Sequence, residues 1–359
     1  MPSARTRTCS ASLRLVLGLG AALAMASCAA STDGAATEPS GGPAEASGSE
    51  TGYPVEIENC GRTLRFDAPP ERAVLSYHPV AEMFVGLGLA DRAVGRAGYS
   101  GAFGDAPPTL PEQEADFERI PVVSDTVYPP TREELLALRP DFLLAYGDFD
   151  YGGEQEGVEG LATLDQLADA GVQVYTVACP DPSGNYAGET LDAAYRSLTD
   201  LGRIFGVSER ADQQVAEMQA QIESVQEQVS GRPPVDTIMY AGGTGPLLLS
   251  GGVGINDEIL QAAGGRNLFP DDGLYFEASR EAVAAQRAEA FVVFAEATDP
   301  DGELDPEPAA SFLTEAFPEM PASADRRIAV TSYEFTAPGW RSAQTVEDLA
   351  RQLHPDAFE

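Results

Sequence analysis

The chain has 359 residues, 43% of them hydrophobic and 8% aromatic, which is enough apolar material for two packed domains. Its formal charge is −35, and all 22 basic residues are arginine. The absence of lysine excludes Schiff-base and phosphate-loop lysine chemistry, and the acidity argues against a nucleic-acid surface. With two histidines, His78 and His354, a multi-histidine metal centre is not expected.

The first residues read as an address. Arg5, Arg7 and Arg14 precede an apolar run, 15–25, and no acidic residue occurs before Asp33. The run ends in Ala26-Ser27-Cys28, small residues ahead of a cysteine, as in a bacterial lipobox, with Met25 where leucine is usual. Cleavage before Cys28 leaves that thiol lipidated and the protein anchored on the extracytoplasmic face of the cell membrane; the alternative is an ordinary secretory signal cut nearby. Loss of the three leader arginines takes the charge from −35 to −38. Residues 1–27 are therefore assigned to the signal and 28–52 to a tether. The tether carries no large apolar side chain and cannot offset its ordering entropy. As a flexible coil it spans about 25–30 Å. Cys9 leaves with the signal and Cys28 takes lipid. Cys60 and Cys179 remain as an even pair in an oxidising compartment, which suggests a disulfide; two free thiols are the alternative.

From residue 53 short apolar runs alternate with helical stretches. Strands are predicted at 73–77, 93–95, 120–123, 142–145 and 172–177, and helices from Pro79, at 131–138 and at 161–170. Thr131 and Glu134 make a capping box. This alternation implies a mainly parallel sheet with helices on both faces, an N-terminal α/β lobe at 53–187. The rhythm then breaks. Leu191, Ala194, Leu198, Leu201 and Phe205 follow helical spacing, giving one bridging helix at 188–207. A helix at 211–229 and strands at 237–240, 291–294 and 328–331 follow, with a last helix at 342–353, making a C-terminal α/β lobe at 208–359. The expected fold is two Rossmann-like lobes joined by a single long helix, with the ligand cleft between them and small hinge motion.

In open α/β sheets ligands bind beyond the carboxyl ends of the strands. Tyr77 and His78 leave the first strand, Tyr99 the second, Tyr128 the third and residues 147–151 (GDFDY, ending in Tyr151) the fourth. Tyr240, Tyr333, Trp340 and Arg341 hold comparable places in the second half. Aromatic walls with few polar groups suit a bulky organic chelate. Arg341 offers a guanidinium fork to hydroxamate or carboxylate oxygens, or pairs with a neighbouring acid. His78 bonds the chelate, ligates iron, or satisfies backbone at a helix start. The plainer reading of the aromatics is that half of them cap the cores.

Five stretches in order resemble a known family: VEIENCGRTLRF at 55–66 followed by APPER at 68–72, YHPVAEM at 77–83 with LGLAD at 87–91, TREELLALRPD at 131–141, SREAV at 279–283 and LHP at 353–355. Together, over 54–358, the chain resembles the bacterial binding lipoproteins that feed ferric-siderophore, haem and cobalamin ABC importers. The resemblance implies a helical-backbone periplasmic-binding fold, no enzymatic activity and no cofactor of its own. It also implies an ABC permease as partner, met through one acidic residue on each lobe, Glu133 and Glu281. Both lie in helix first turns, where the dipole alone also favours carboxylates. The acidic cleft candidates Asp148, Asp150 and Glu154, with few arginines, favour a neutral or cationic iron(III) chelate, hydroxamate-type first; haem and cobalamin are the alternatives. The protein is expected to be a monomer, without direct metal ligands. A hydrolase is the remote alternative, for neither a Gly-x-Ser-x-Gly elbow nor a His-Glu-x-x-His motif occurs. A surface adhesion lipoprotein is the other.

Overall fold

A computed structural model describes residues 52–98, 109–152, 160–180, 188–295 and 304–359. The leader, Cys28, nearly all of the tether and Tyr99 lie outside the described residues.

The chain enters through a hairpin of β1 (Val55–Asn59) and β2 (Arg62–Phe66). Its two turn residues, Cys60 and Gly61, both have positive φ, 48° and 73°, the tight turn whose twist matches the flanking strands. Residues alternate buried and exposed along β1, so the hairpin lays one face on the core.

The first sheet is all parallel, in the order β5–β4–β3–β6–β7, with β3 at Ala73–Leu75, β4 at Ala93–Ala97, β5 at Val122–Ser124, β6 at Phe142–Ala145 and β7 at Gln173–Thr176. Strands β3 and β6 are buried along their whole length, because helices cover both faces. Those helices are α1 (His78–Gly86), α2 (Glu114–Glu118), α3 (Arg132–Ala137) and α4 (Leu164–Asp169). The Thr131–Glu134 capping box forms at the start of α3.

Between the sheets run two helices, α5 (Leu191–Phe205) and α6 (Ser208–Val229). The Leu191 N–H donates to the Glu258 carboxylate of the second lobe at 2.8 Å. At the other end the Phe205 ring stands 5.1 Å from Phe84 and 5.2 Å from Phe142, in the first lobe. Gly206, at φ 72°, ends α5 in the left-handed conformation, and α6 turns back along it. The connection is thus a helical pair, with the amphipathic α5 wedged between lobes and α6 lying on its back.

The second sheet follows the order β11–β9–β8–β12–β13: β8 (Val235–Tyr240), β9 (Leu248–Ser250), β11 (Phe276–Glu277), β12 (Ala290–Phe294) and β13 (Ile328–Thr331), with β10 (Gly265–Asn267) also on β8. Its centre is parallel, while β9 and β11 form an antiparallel edge. Helices α7 (Ile255–Ala262), α8 (Arg280–Ala284), α9 (Glu307–Ala316), α10 (Pro321–Ala324), α11 (Tyr333–Thr336) and α12 (Ser342–Leu353) surround it. The two sheets are separate, yet one apolar cluster continues through both lobes. It joins Leu75 and Phe142 to Leu201 and Ile204 of α5, Met218 and Ile222 of α6, and Met239 and Val292 beyond.

The Cys60–Cys179 disulfide is formed, with its Cα atoms 5.3 Å apart, tying the entry hairpin to the segment after β7. No helix among the described residues is long and apolar enough to cross a membrane.

Candidate functional site

A cavity of about 280 Å³ opens between the lobes at the carboxyl ends of both sheets. Tyr77, Val127, Tyr128, Tyr146, Phe149 and Glu189 line it from one side; Leu274, Tyr275 and Tyr333 line it from the other. Tyr77 follows β3 as the N-cap of α1, Tyr146 follows β6, and Tyr333 opens α11 just after β13. Each of these residues lies one or two positions past its strand, where parallel topology opens a crevice.

The aromatic side chains brace each other. Tyr77 meets Tyr146 edge-on at 5.0 Å between centroids, Tyr146 lies 5.8 Å from Phe149, and Phe149 meets Tyr128 edge-on at 6.0 Å. Across the crevice Tyr275 and Tyr333 are 5.6 Å apart, and Tyr333 leans on Phe294 at 5.2 Å. The Tyr333 hydroxyl donates to the Ala241 carbonyl at 2.5 Å, and the Tyr77 hydroxyl reaches across the lobes to Glu334 at 3.3 Å. Each of these hydroxyls has a protein partner, which leaves the rings to meet a ligand.

The acids here are unusual. Burial pushes the Glu189 carboxyl up to about 7, against a hydrogen bond from the Tyr146 hydroxyl. Burial does the same to Glu334, up to about 7, against its own backbone N–H and the Tyr77 hydroxyl. Behind the wall Asp150 is likewise raised to about 7 by burial, although Ser76 Oγ and the Tyr146 N–H both donate to it at 2.6 Å. No arginine or histidine stands among the described lining residues.

Of the residues predicted to form the cleft, Tyr77, Tyr128 and Tyr333 line it. The structure does not bring His78, Tyr151, Tyr240, Trp340 and Arg341 to it, and in each case a stronger partner explains why. Glu82 lies one turn after His78 on α1; it takes the His78 ring nitrogen at 3.1 Å and Arg341 Nε at 2.8 Å, in a buried cluster that staples the lobes. Burial alone would raise the Glu82 carboxyl, but these two hydrogen bonds outweigh it and hold it below its usual range. Trp340 presses its six-membered ring on Gly86, where a Cβ would lie only 2.4 Å away. Tyr151 bonds Thr176 Oγ1 at 2.8 Å inside the first lobe. Tyr240 is fully buried, stacked on Phe312 at 5.8 Å. Asp148 is exposed. Glu133 and Glu281 are both exposed in the first turns of α3 and α8.

Sequence reasoning missed Tyr146, Glu189 and Tyr275, and took Phe149 only as part of the stretch 147–151. Tyr146 was legible as the residue ending the β6 run. Glu189 sits just before the Thr190 cap of α5, and Tyr275 in the connection between β10 and β11; neither carries a local signal.

Residues 73–331 match the family described as periplasmic binding protein. A curated vitamin B12-binding protein of Yersinia pestis (strain Pestoides F) is 26% identical over 234 residues, 64% of this chain and 72% of that one. A periplasmic binding protein structure from Veillonella parvula superposes with a TM-score of 0.71 at 19% identity, covering 84% of this chain and 97% of that one. An ABC-type Fe3+-hydroxamate transport system structure from Saccharomonospora viridis gives 0.65 at 24% identity, covering 84% and 99%. A periplasmic heme binding protein structure from Pseudomonas aeruginosa gives 0.61 at 25% identity, covering 80% and 93%. Two α/β lobes, a crevice at their strand ends and a family match across both sheets lead to one conclusion: the chain belongs to the periplasmic binding proteins, extracytoplasmic solute-binding proteins and not enzymes.

Proposed function

We propose that this protein is the substrate-binding lipoprotein of an ABC importer and captures a ferric siderophore of hydroxamate type, delivering it unaltered to the permease. The observation that carries this reading is the crevice itself. Six aromatic side chains and a near-neutral carboxyl face a ligand there, with no cationic side chain among the described lining residues. A tris-catecholate brings excess negative charge and finds no counter-charge in such a wall. A trihydroxamate brings iron to neutrality or a positive charge and offers hydrocarbon arms for the rings. The chelate is larger than the cavity, so the rings grip part of it. The iron is cargo, not cofactor. Cys28 is the lipid anchor, and Glu133 and Glu281 dock on the permease; reversing both charges is expected to abolish uptake at unchanged affinity, and unchanged uptake would remove that role.

A second reading is cobalamin, favoured by the vitamin B12-binding relatives and by the same aromatic walls. Haem fits less well, since its propionates would meet Glu189 and no cationic side chain among the described lining residues. Fluorescence-quenching titrations with a ferric trihydroxamate, a ferric tris-catecholate, cyanocobalamin and haem rank these. Micromolar or tighter hydroxamate binding with no catecholate binding is expected. The reverse order would overturn the charge argument, and cobalamin alone would select the second reading.

A further inference from the structure

The geometry points to a cation subsite in this crevice: Glu189, set among aromatic rings, receives a positively charged organic group, such as a pendant ammonium arm of the ligand. The inference rests on the crevice being the ligand site and goes beyond it by naming a residue and a charge.

Glu189 is 7% exposed, and what it shows of itself opens into the cavity. The rings around it include Tyr146, whose hydroxyl bonds its carboxylate, and Tyr275 and Tyr333 on the opposite lobe. An aromatic enclosure attracts cations through the ring quadrupoles, and the attraction grows where water is excluded. A carboxylate in the same enclosure adds a direct ion pair. Burial has pushed this carboxyl up to about 7, so a carboxylate here is poorly compensated by the protein and a ligand cation supplies what its surroundings lack. The described lining offers that cation no competitor: it holds no arginine or histidine, and the chain has no lysine. An exposed surface acid would not discriminate in this way, because solvent and salt screen it.

The test compares ferrioxamine B, which carries one free ammonium, with its N-acetylated form, which differs only there. Wild-type protein is expected to bind the ammonium form about tenfold or more tightly. Glu189→Gln should bring the two affinities together by weakening the ammonium form alone. Equal wild-type affinities, or an equal loss for both in E189Q, would overturn the subsite. If neither chelate binds, the hydroxamate reading falls by itself, and benzyltrimethylammonium then decides the subsite. Quenching by that cation in wild type and not in E189Q supports it; no response in either, or an equal response in both, refutes it.

Discussion

At the scale of single residues, the buried acids divide by what faces them. Glu82 has two donors from opposite directions, His78 and Arg341, and stays ionised. Removing one partner of a buried pair strands the other charge, so Arg341→Ala is expected to destabilise by about 3–5 kcal/mol in denaturant melts. Since Arg341 does not line the cavity, ligand affinity should be unchanged in the folded variant. Asp150 is the opposite case. Its pKa in the folded protein is raised to about 7 from an ordinary 3.8, so the fold binds a proton that the unfolded chain releases. Stability from this group is fully present below pH 3.8 and is lost as pH rises through 7. Against Asp150→Asn, which does not titrate, the wild type should therefore lose on the order of a few kcal/mol between pH 4 and 8. A pH-independent difference would remove this account. These pairings also show why residue type at a strand end predicts a site imperfectly. The sequence marks Tyr77, Tyr128 and Tyr333 as leaving strands, and they reach the crevice; it marks His78 and Arg341 equally, yet Glu82 draws both aside.

Among the elements, the legible ones are those whose apolar run decides everything. Strands β6 and β13 and helix α12 fall where the pattern places them: β6 is buried along its length, β13 is a short apolar run that alternates between fully and half-buried, and α12 carries a clean helical stripe. The antiparallel edge of β9 and β11 is not legible, since strands of three and two residues beside a glycine-rich turn carry too little periodicity. Helix α6 also starts three residues earlier than its pattern, because Ser208 and Glu209 are good first-turn residues without apolar character. The disulfide closes a separation of 119 residues, next to Asn59, whose side chain exchanges two hydrogen bonds with the Thr176 backbone. The Cys60→Ala/Cys179→Ala double variant is expected to lose about 4–5 kcal/mol in the chain-entropy account. A loss under about 1 kcal/mol would show that the reduced chain keeps the constraint by other contacts.

At the scale of the molecule, one apolar cluster runs through both lobes. Helices α5 and α6 contribute side chains that belong to neither lobe alone, and the Arg341–Glu82 and Tyr77–Glu334 contacts close the lobes beside the crevice. Opening the lobes widely would expose that core and break a buried ion pair, so ligand capture is expected with a change in radius of gyration under about 1 Å by small-angle scattering. A change of several ångströms would mean that the shared core parts on opening. The proposed seat of a ferric chelate is the aromatic crevice between the lobes. Its most direct measurement is the anomalous scattering of iron in crystals grown with a ferric trihydroxamate. One iron peak is expected between the lobes, in contact range of a chelate held by Tyr77, Tyr128 and Tyr333. An iron peak on any other surface, or none at saturating chelate, would contradict it.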